Sequence, residues 1–180
     1  MKKILLINAS HQNAACLNIL ENIQQKFWLE YSTEIVSLRD YDINQCLGCT
    51  ECFKNGECVI EDKFHLVREK MEDSDFIVVC TPTYFYNVSG TLKTTIDRTR
   101  AMLKTNSLNN KKFVFIYCTY HNLDTVKSFL DTALQGFNHS HHINNLGAYS
   151  VGINENLEIL DPSHTQSIIE KITTIINDNI

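Results

Sequence analysis

The run Asp75-Phe76-Ile77-Val78-Val79-Cys80 is apolar on five successive residues and then meets Thr81-Pro82. It is too brief for a buried helix, so it reads as a strand covered on both faces, the condition of a parallel sheet sandwiched by helices. Such a strand needs parallel neighbours joined by crossovers. Short apolar runs at Lys3 to Asn8, about Glu34 to Leu38, Lys112 to Cys118 and about Asn145 to Val151 alternate with stretches of helical spacing. Cys16, Ile19, Leu20, Ile23 and Phe27 form one helical stripe, and Phe64, Val67 and Met71 a second. Ile168, Ile169, Ile172, Ile175 and Ile176 form another after Pro162, and further helices are expected from about Val88 to Lys104 and Asp124 to Gly136. The expectation is an α/β fold over residues 1–180 as one domain. It has a doubly wound, five-stranded parallel sheet in the order 2-1-3-4-5, helices on both faces and a cysteine-rich loop at about 39–60. In that wiring a ligand sits beyond the carboxyl ends of strands one and three.

A net charge of −5 and the lack of any dense Lys/Arg run give no electrostatic footprint for nucleic acid, so no such partner is expected. No apolar stretch nears the roughly 20 residues of a membrane-spanning helix. The run after Lys2-Lys3 is too short for the core of a signal peptide, so no membrane association and a cytoplasmic, reducing location are expected. There, seven cysteines are more reasonably free, catalytic or metal-bound than paired as disulfides.

Four of the seven, Cys46, Cys49, Cys52 and Cys58, have two, two and five residues between them. Thiolates so spaced can turn toward one point from a single loop, which suits an iron-sulfur cluster or zinc; unliganded thiols are the remaining reading. Cys80 and Cys118 end buried strands and read as core.

Two strand ends carry the candidate ligand site. Asn8-Ala9-Ser10-His11-Gln12-Asn13-Ala14-Ala15-Cys16 is polar and free of glycine, so it matches neither a dinucleotide fingerprint nor an NTPase loop. Backbone amides, the helix dipole and the Ser10 hydroxyl would suit a phosphate monoester such as that of FMN, or the segment is an ordinary capped turn. Thr81 to Asn87 places Tyr84, Phe85 and Tyr86 in one exposed loop. That much apolar surface calls for a flat ligand such as a flavin ring, a dimer contact, or both.

Pro82-x-Tyr84 followed by Ser89-Gly90-x-Leu92-Lys93-x-x-Ile96-Asp97-Arg98 resembles the flavin-loop signature of the NADPH-dependent FMN reductase family, within the flavodoxin-like superfamily. The cysteine spacing is similar to the compact motif of its iron-sulfur flavoprotein branch. The resemblance implies FMN between the two strand-end loops and a [4Fe-4S] cluster on Cys46, Cys49, Cys52 and Cys58. It also implies a homodimer or homotetramer with clusters near flavins. It places Ser10 and the segment Gln12 to Leu17, including Cys16, toward the phosphate, Pro82, Thr83, Tyr84, Phe85, Tyr86 and Asn87 on the isoalloxazine, and Thr119 beside the ring. Where relatives have a Gly-Ser-Pro-Arg type loop followed by Asn-Thr or Ser-Thr, this chain has Ala9-Ser10-His11-Gln12 and then Ala15-Cys16, and so lacks a charge and a hydroxyl.

Tyr120 and His121 could touch flavin or substrate or merely cap their loop. His139-Ser140-His141-His142 reads as solvated loop rather than a metal site. The expected function is an FMN-dependent oxidoreductase taking electrons from NAD(P)H or a reduced carrier and passing them to a small redox substrate or a ferredoxin-type protein. A cluster-free reductase of flavin, quinones or nitro compounds is one alternative; a flavodoxin-like carrier or redox sensor is another.

Overall fold

The apolar run at Phe76 forms the middle of the sheet, and its alternate side chains feed two cores. The protein is described here as a computed structural model covering residues 1–121 and 123–180. Its elements are β1 (Lys3–Asn8), α1 (Ala15–Phe27), β2 (Ser32–Ser37), α2 (Cys52–Asn55), α3 (Phe64–Asp73), β3 (Phe76–Tyr84), β4 (Asn87–Val88), α4 (Gly90–Arg98), β5 (Lys112–Thr119), α5 (Leu123–Ser140), β6 (Asn144–Gly152) and α6 (Pro162–Asn179), with 3-10 turns at Leu38–Tyr41 and Thr99–Met102. Phe76, Val78 and Cys80 face α1 and α6, whereas Ile77 and Val79 face the layer of α3, α4 and α5. Both sets are wholly buried, as expected of a strand with helices on either side.

The sheet has six strands in the order β2-β1-β3-β5-β6, with β4 paired to β3. This corrects the expected five strands in the order 2-1-3-4-5. The element missed is β4, two residues long and antiparallel, which pairs Val88 with Thr83 and Asn87 with Tyr84. The α/β architecture, the parallel ladders and the helices on both faces are as expected.

Three boundaries also move. β3 does not stop at Thr81-Pro82 but runs to Tyr84. β1 ends opposite Cys80, so beyond that point β3 loses its neighbour on one side and the missing N–H of Pro82 breaks no ladder there. The helix expected from Val88 begins at Gly90, because the Ser89 hydroxyl caps it by accepting from the Leu92 amide at 3.2 Å. It tightens into 3-10 geometry at Thr99, where the Thr99 hydroxyl donates to the Ile96 carbonyl at 2.7 Å. α5 continues past Gly136 to Ser140, so the histidine run is not a solvated loop: His139 lies on the last turn and His141 is buried.

The Thr99 hydroxyl has already given its hydrogen to Ile96, so it accepts the Nε2 hydrogen of His141 at 2.9 Å. Burial lowers the His141 pKa to about 4, and the neighbouring His142 adds to the effect. The folded pKa lies below the ordinary 6.5, so the unfolded chain binds more protons between those values. Stability is expected to be full above pH 6.5 and to fall as the pH drops toward 4, by up to about 3 kcal/mol. Urea midpoints between pH 7 and 4.5 should show this slope in the wild type and a much flatter one in His141→Gln.

No helix among the described residues is long and apolar enough to cross a membrane.

Candidate functional site

β1 and β2 end in register at Asn8 and Ser37, and the loop after β1 leads into α1 with no side chain capping it. Ala14, at the N-cap, has no side-chain oxygen to offer, and its carbonyl accepts from the Asn18 amide at 3.0 Å. The first amides of any helix lack intrahelical backbone carbonyls as partners, which applies to those of Cys16 and Leu17; the Ala15 amide is taken by the Leu157 carbonyl at 3.3 Å. The Ser10 amide donates to Asn8 Oδ1 at 3.0 Å and the Ser10 hydroxyl accepts from the Gln12 amide at 3.1 Å. These two bonds curl the loop into a polar hollow at the positive end of the α1 dipole. Of the predicted phosphate residues, Ser10 and Gln12 belong to this loop, whereas Leu17 lines a neighbouring cavity with Asn13, Ala15 and Leu157. Cys16 offers only its backbone, because its side chain is in the core.

The second loop is a tight hairpin. Tyr84 pairs with Asn87, leaving Phe85 and Tyr86 as its two-residue turn, and both have left-handed backbones with φ of 50° and 59°. Such turns favour Asn-Gly, and bulky residues there cost of order 1–3 kcal/mol each. The cost holds Phe85 98% exposed above the strand ends. Tyr86 stacks on His121 with centroids 4.6 Å apart and leans on Phe129 at 5.5 Å, so α5 and the end of β5 brace the hairpin. Beneath it the Thr83 hydroxyl is buried without any partner. A buried polar atom left unpaired is costly and marks a place where a ligand donor or acceptor would fit. Ser89 ties the two loops together, its hydroxyl donating to the Ala9 carbonyl at 2.8 Å. Pro82 is buried under the turn. Thr119 is wholly buried and its hydroxyl accepts the His121 amide at 3.0 Å, so Tyr120 and His121 form the exposed rim there instead.

The cysteine loop is closed at its neck by one buried arginine. Arg98, 2% exposed, donates from Nη1 to the Asn44 carbonyl at 2.9 Å and to Asp62 Oδ2 at 2.6 Å, and from Nη2 to Asp62 Oδ1 at 3.1 Å. Burial would raise the Asp62 carboxyl, but bonds from Arg98 and from the Asn44 and Phe64 amides pull it down to about 2. Arg98 also lies 4.8 Å over the Phe64 ring. Within the loop, Gly48 and Thr50 adopt left-handed φ of 67° and 64° on either side of Cys49. Gly56, at φ 83°, ends α2 by donating its N–H to the Cys52 carbonyl at 2.8 Å. The Cys52 thiol is pushed up by burial and then by the sulfurs of Cys58, Cys46 and Cys49, while Arg100 opposes them. Arg100, over Phe53 at 4.8 Å, adds positive charge near the sulfurs, while Arg68, bonded to the Gly56 carbonyl at 2.9 Å, is ion-paired with Glu57 and Glu72.

No three of the loop sulfurs converge within 4.8 Å; among the described residues the group that does is Cys16, Cys80 and Cys118. A tetrahedral zinc with bonds of about 2.3 Å would hold its sulfurs closer than that. A cubane cluster would give each cysteine its own iron and space the sulfurs wider than one zinc does, so four thiols that do not converge on one point are the donor set such a cluster would use. The buried trio draws one thiol each from α1, β3 and β5, with Cys80 and Cys118 sulfurs 3.7 Å apart. One soft metal ion could touch all three. Reading Cys80 and Cys118 separately, as the ends of two apolar runs, did not reveal their meeting with Cys16. Under native, anaerobic, metal-free conditions a thiol reagent is expected to titrate the four loop cysteines quickly and these three only on unfolding.

Residues 2–158 match the family described as NADPH-dependent FMN reductase. The chain belongs to that family. Among its relatives, an Archaeoglobus fulgidus iron-sulfur flavoprotein is 42% identical over 113 residues, 62% of this chain and 56% of that one. A Methanocaldococcus jannaschii iron-sulfur flavoprotein is 39% identical over 79 residues, 44% and 41% of the two chains. This family member thus spans about half the length of the relatives it matches. Among solved structures, RosB with a bound 8-demethyl-8-formylriboflavin-5'-phosphate intermediate superposes with a TM-score of 0.74 at 17% identity, covering 97% of this chain and 77% of RosB. The NAD(P)H:quinone oxidoreductase of Methanothermobacter marburgensis gives 0.71 at 12% identity, covering 96% and 92%. These likenesses establish the flavodoxin-like fold.

Proposed function

We propose that this reductase-family chain is an FMN-dependent oxidoreductase, fed by NAD(P)H or a reduced carrier, with a [4Fe-4S] cluster on Cys46, Cys49, Cys52 and Cys58. The observation that carries the reading is the strained Phe85-Tyr86 turn: an aromatic wall held off the surface at an energetic cost, above an unpaired Thr83 hydroxyl and beside an uncapped helix. FMN, when bound, accepts electrons in pairs and releases them singly or in pairs, and a cluster nearby relays single electrons.

The chain's own residues would do the rest. The Cys16 and Leu17 amides and Ser10 would hold the phosphate, and Tyr84, Phe85 and Tyr86 would pack on the ring and keep water from it. The Thr83 hydroxyl, buried without a partner, would take a polar edge of the ring. Arg98 and Asp62 hold the cluster loop shut. Phe85 leaves one side of the site open, which suits completion by a second copy as a homodimer or homotetramer, with clusters near flavins. The open face also suits a flat acceptor such as a quinone, a nitro compound or flavin, and the exposed cysteine loop suits a ferredoxin-type carrier.

Steady-state NADH and NADPH oxidation with added FMN, and with a quinone or ferredoxin as acceptor, tests the proposal. Turnover that needs FMN supports it, whereas no turnover with any donor returns the chain to a carrier or sensor role. Tyr86→Ala, which removes the stacked brace, is expected to weaken FMN binding roughly tenfold, as for the loss of one good aromatic contact.

A further inference from the structure

The loop from Ala9 to Ala15 contains no Lys or Arg, yet the group it is read as holding is a dianion. Neutral donors make contacts about half as strong as charge-assisted ones. The fold supplies a cation from elsewhere. Asn8 Nδ2 donates to Ser37 Oγ at 3.2 Å, locking the end of β2 against the start of the loop. Two residues on, Arg39 turns back over it, and its Nη1 donates to the His11 carbonyl at 2.6 Å. The other side-chain partner is Asp40, 3.5 Å from Nε and itself 64% exposed, which leaves Nη2 free. The Arg39 side chain is 31% exposed, so it keeps contact with solvent. On the far side of the loop His11 Nε2 and the Thr91 hydroxyl meet at 2.7 Å, so the hollow is held at both ends.

We infer that Arg39 supplies the cationic contact to the flavin phosphate that the loop's own sequence lacks, and thereby makes the site select FMN over riboflavin. The inference rests on the flavin reading above. It assigns Arg39 two bonds: Nη1 to the His11 carbonyl, which fixes its position, and Nη2 to a phosphate oxygen. A guanidinium presents a planar fork suited to phosphate, and one already anchored loses little freedom on binding.

The test is to titrate FMN and riboflavin into the wild type, Arg39→Lys and Arg39→Met, following flavin fluorescence. Arg39→Met is expected to lose about ten- to a hundredfold in FMN affinity, the range for a lost hydrogen bond to a charged group, with riboflavin affinity unchanged within about twofold. Arg39→Lys should keep most of the FMN affinity, and the salt dependence of FMN binding should shrink in Arg39→Met. Equal weakening of FMN and riboflavin would show that Arg39 only shapes the loop, and unchanged FMN affinity that it does neither; each overturns the inference while leaving the flavin site intact. A wild-type protein that takes up neither flavin overturns the flavin reading, and this inference with it.

Discussion

Replacing Arg98 with methionine is expected to cost about 3–5 kcal/mol of folding stability, the penalty for stranding one member of a buried ion pair. Arg98 and Asp62 have side chains 1% and 5% exposed, so the Asp62 carboxylate left behind has no water to replace the guanidinium. The same substitution frees the Asn44 carbonyl and lifts the cation from the Phe64 ring, so the neck of the cysteine loop opens. Denaturant unfolding should report the stability, and limited proteolysis should show new cleavage between residues 44 and 62. Arg98→Met with Asp62→Leu is expected to regain more than half of the loss, because two apolar side chains leave no charge unpaired. A loss below about 1 kcal/mol in the single variant would mean that the pair is solvated. Acid should act through the same pair. With its pKa lowered from 3.8 to about 2, the Asp62 carboxyl contributes stability that is complete above about pH 4 and is lost as the pH falls toward 2.

The second large effect concerns metal. After anaerobic reconstitution with iron and sulfide, the wild type is expected to hold a full cubane complement and to show broad absorbance near 400 nm. Cys49→Ser and Cys52→Ser should lose nearly all of the iron and keep FMN, because the two strand-end loops proposed to hold flavin do not include those sulfurs. Cys118→Ser should keep the iron, since that thiol belongs to the buried trio. The reverse pattern, iron lost in Cys118→Ser and retained in the loop variants, would move the metal centre to Cys16, Cys80 and Cys118.

The principal strands were legible because burial on both faces leaves an unbroken apolar run, as at Phe76 to Cys80, and α1, α3 and α6 because their stripes keep helical spacing. β4 was not. A hairpin is recognised by Asn-Gly or Asp-Gly, and here Phe85-Tyr86 fills the left-handed positions against their preference. The residues of the two strand-end loops, whose role toward FMN is the proposal made above, were picked out by motif spacing. Arg39 and the cysteine trio were not, because each comes from an element distant in sequence, and only the strand order brings Ser37 beside Asn8 and Cys80 beside Cys118. The signature ending Ile96-Asp97-Arg98 was read as part of the flavin loop, yet its arginine turns away to close the cysteine loop.

The central claim is that the hollow after β1 and the aromatic hairpin after β3 form one flavin site. Equilibrium titration of flavin-free protein with FMN, followed by fluorescence, tests it most directly. The account predicts saturable uptake of one FMN per chain with strong quenching by the Tyr84 to Tyr86 wall, weakened in Tyr86→Ala. FMN fluorescence that stays at its free value throughout the titration, with the protein folded, would contradict it.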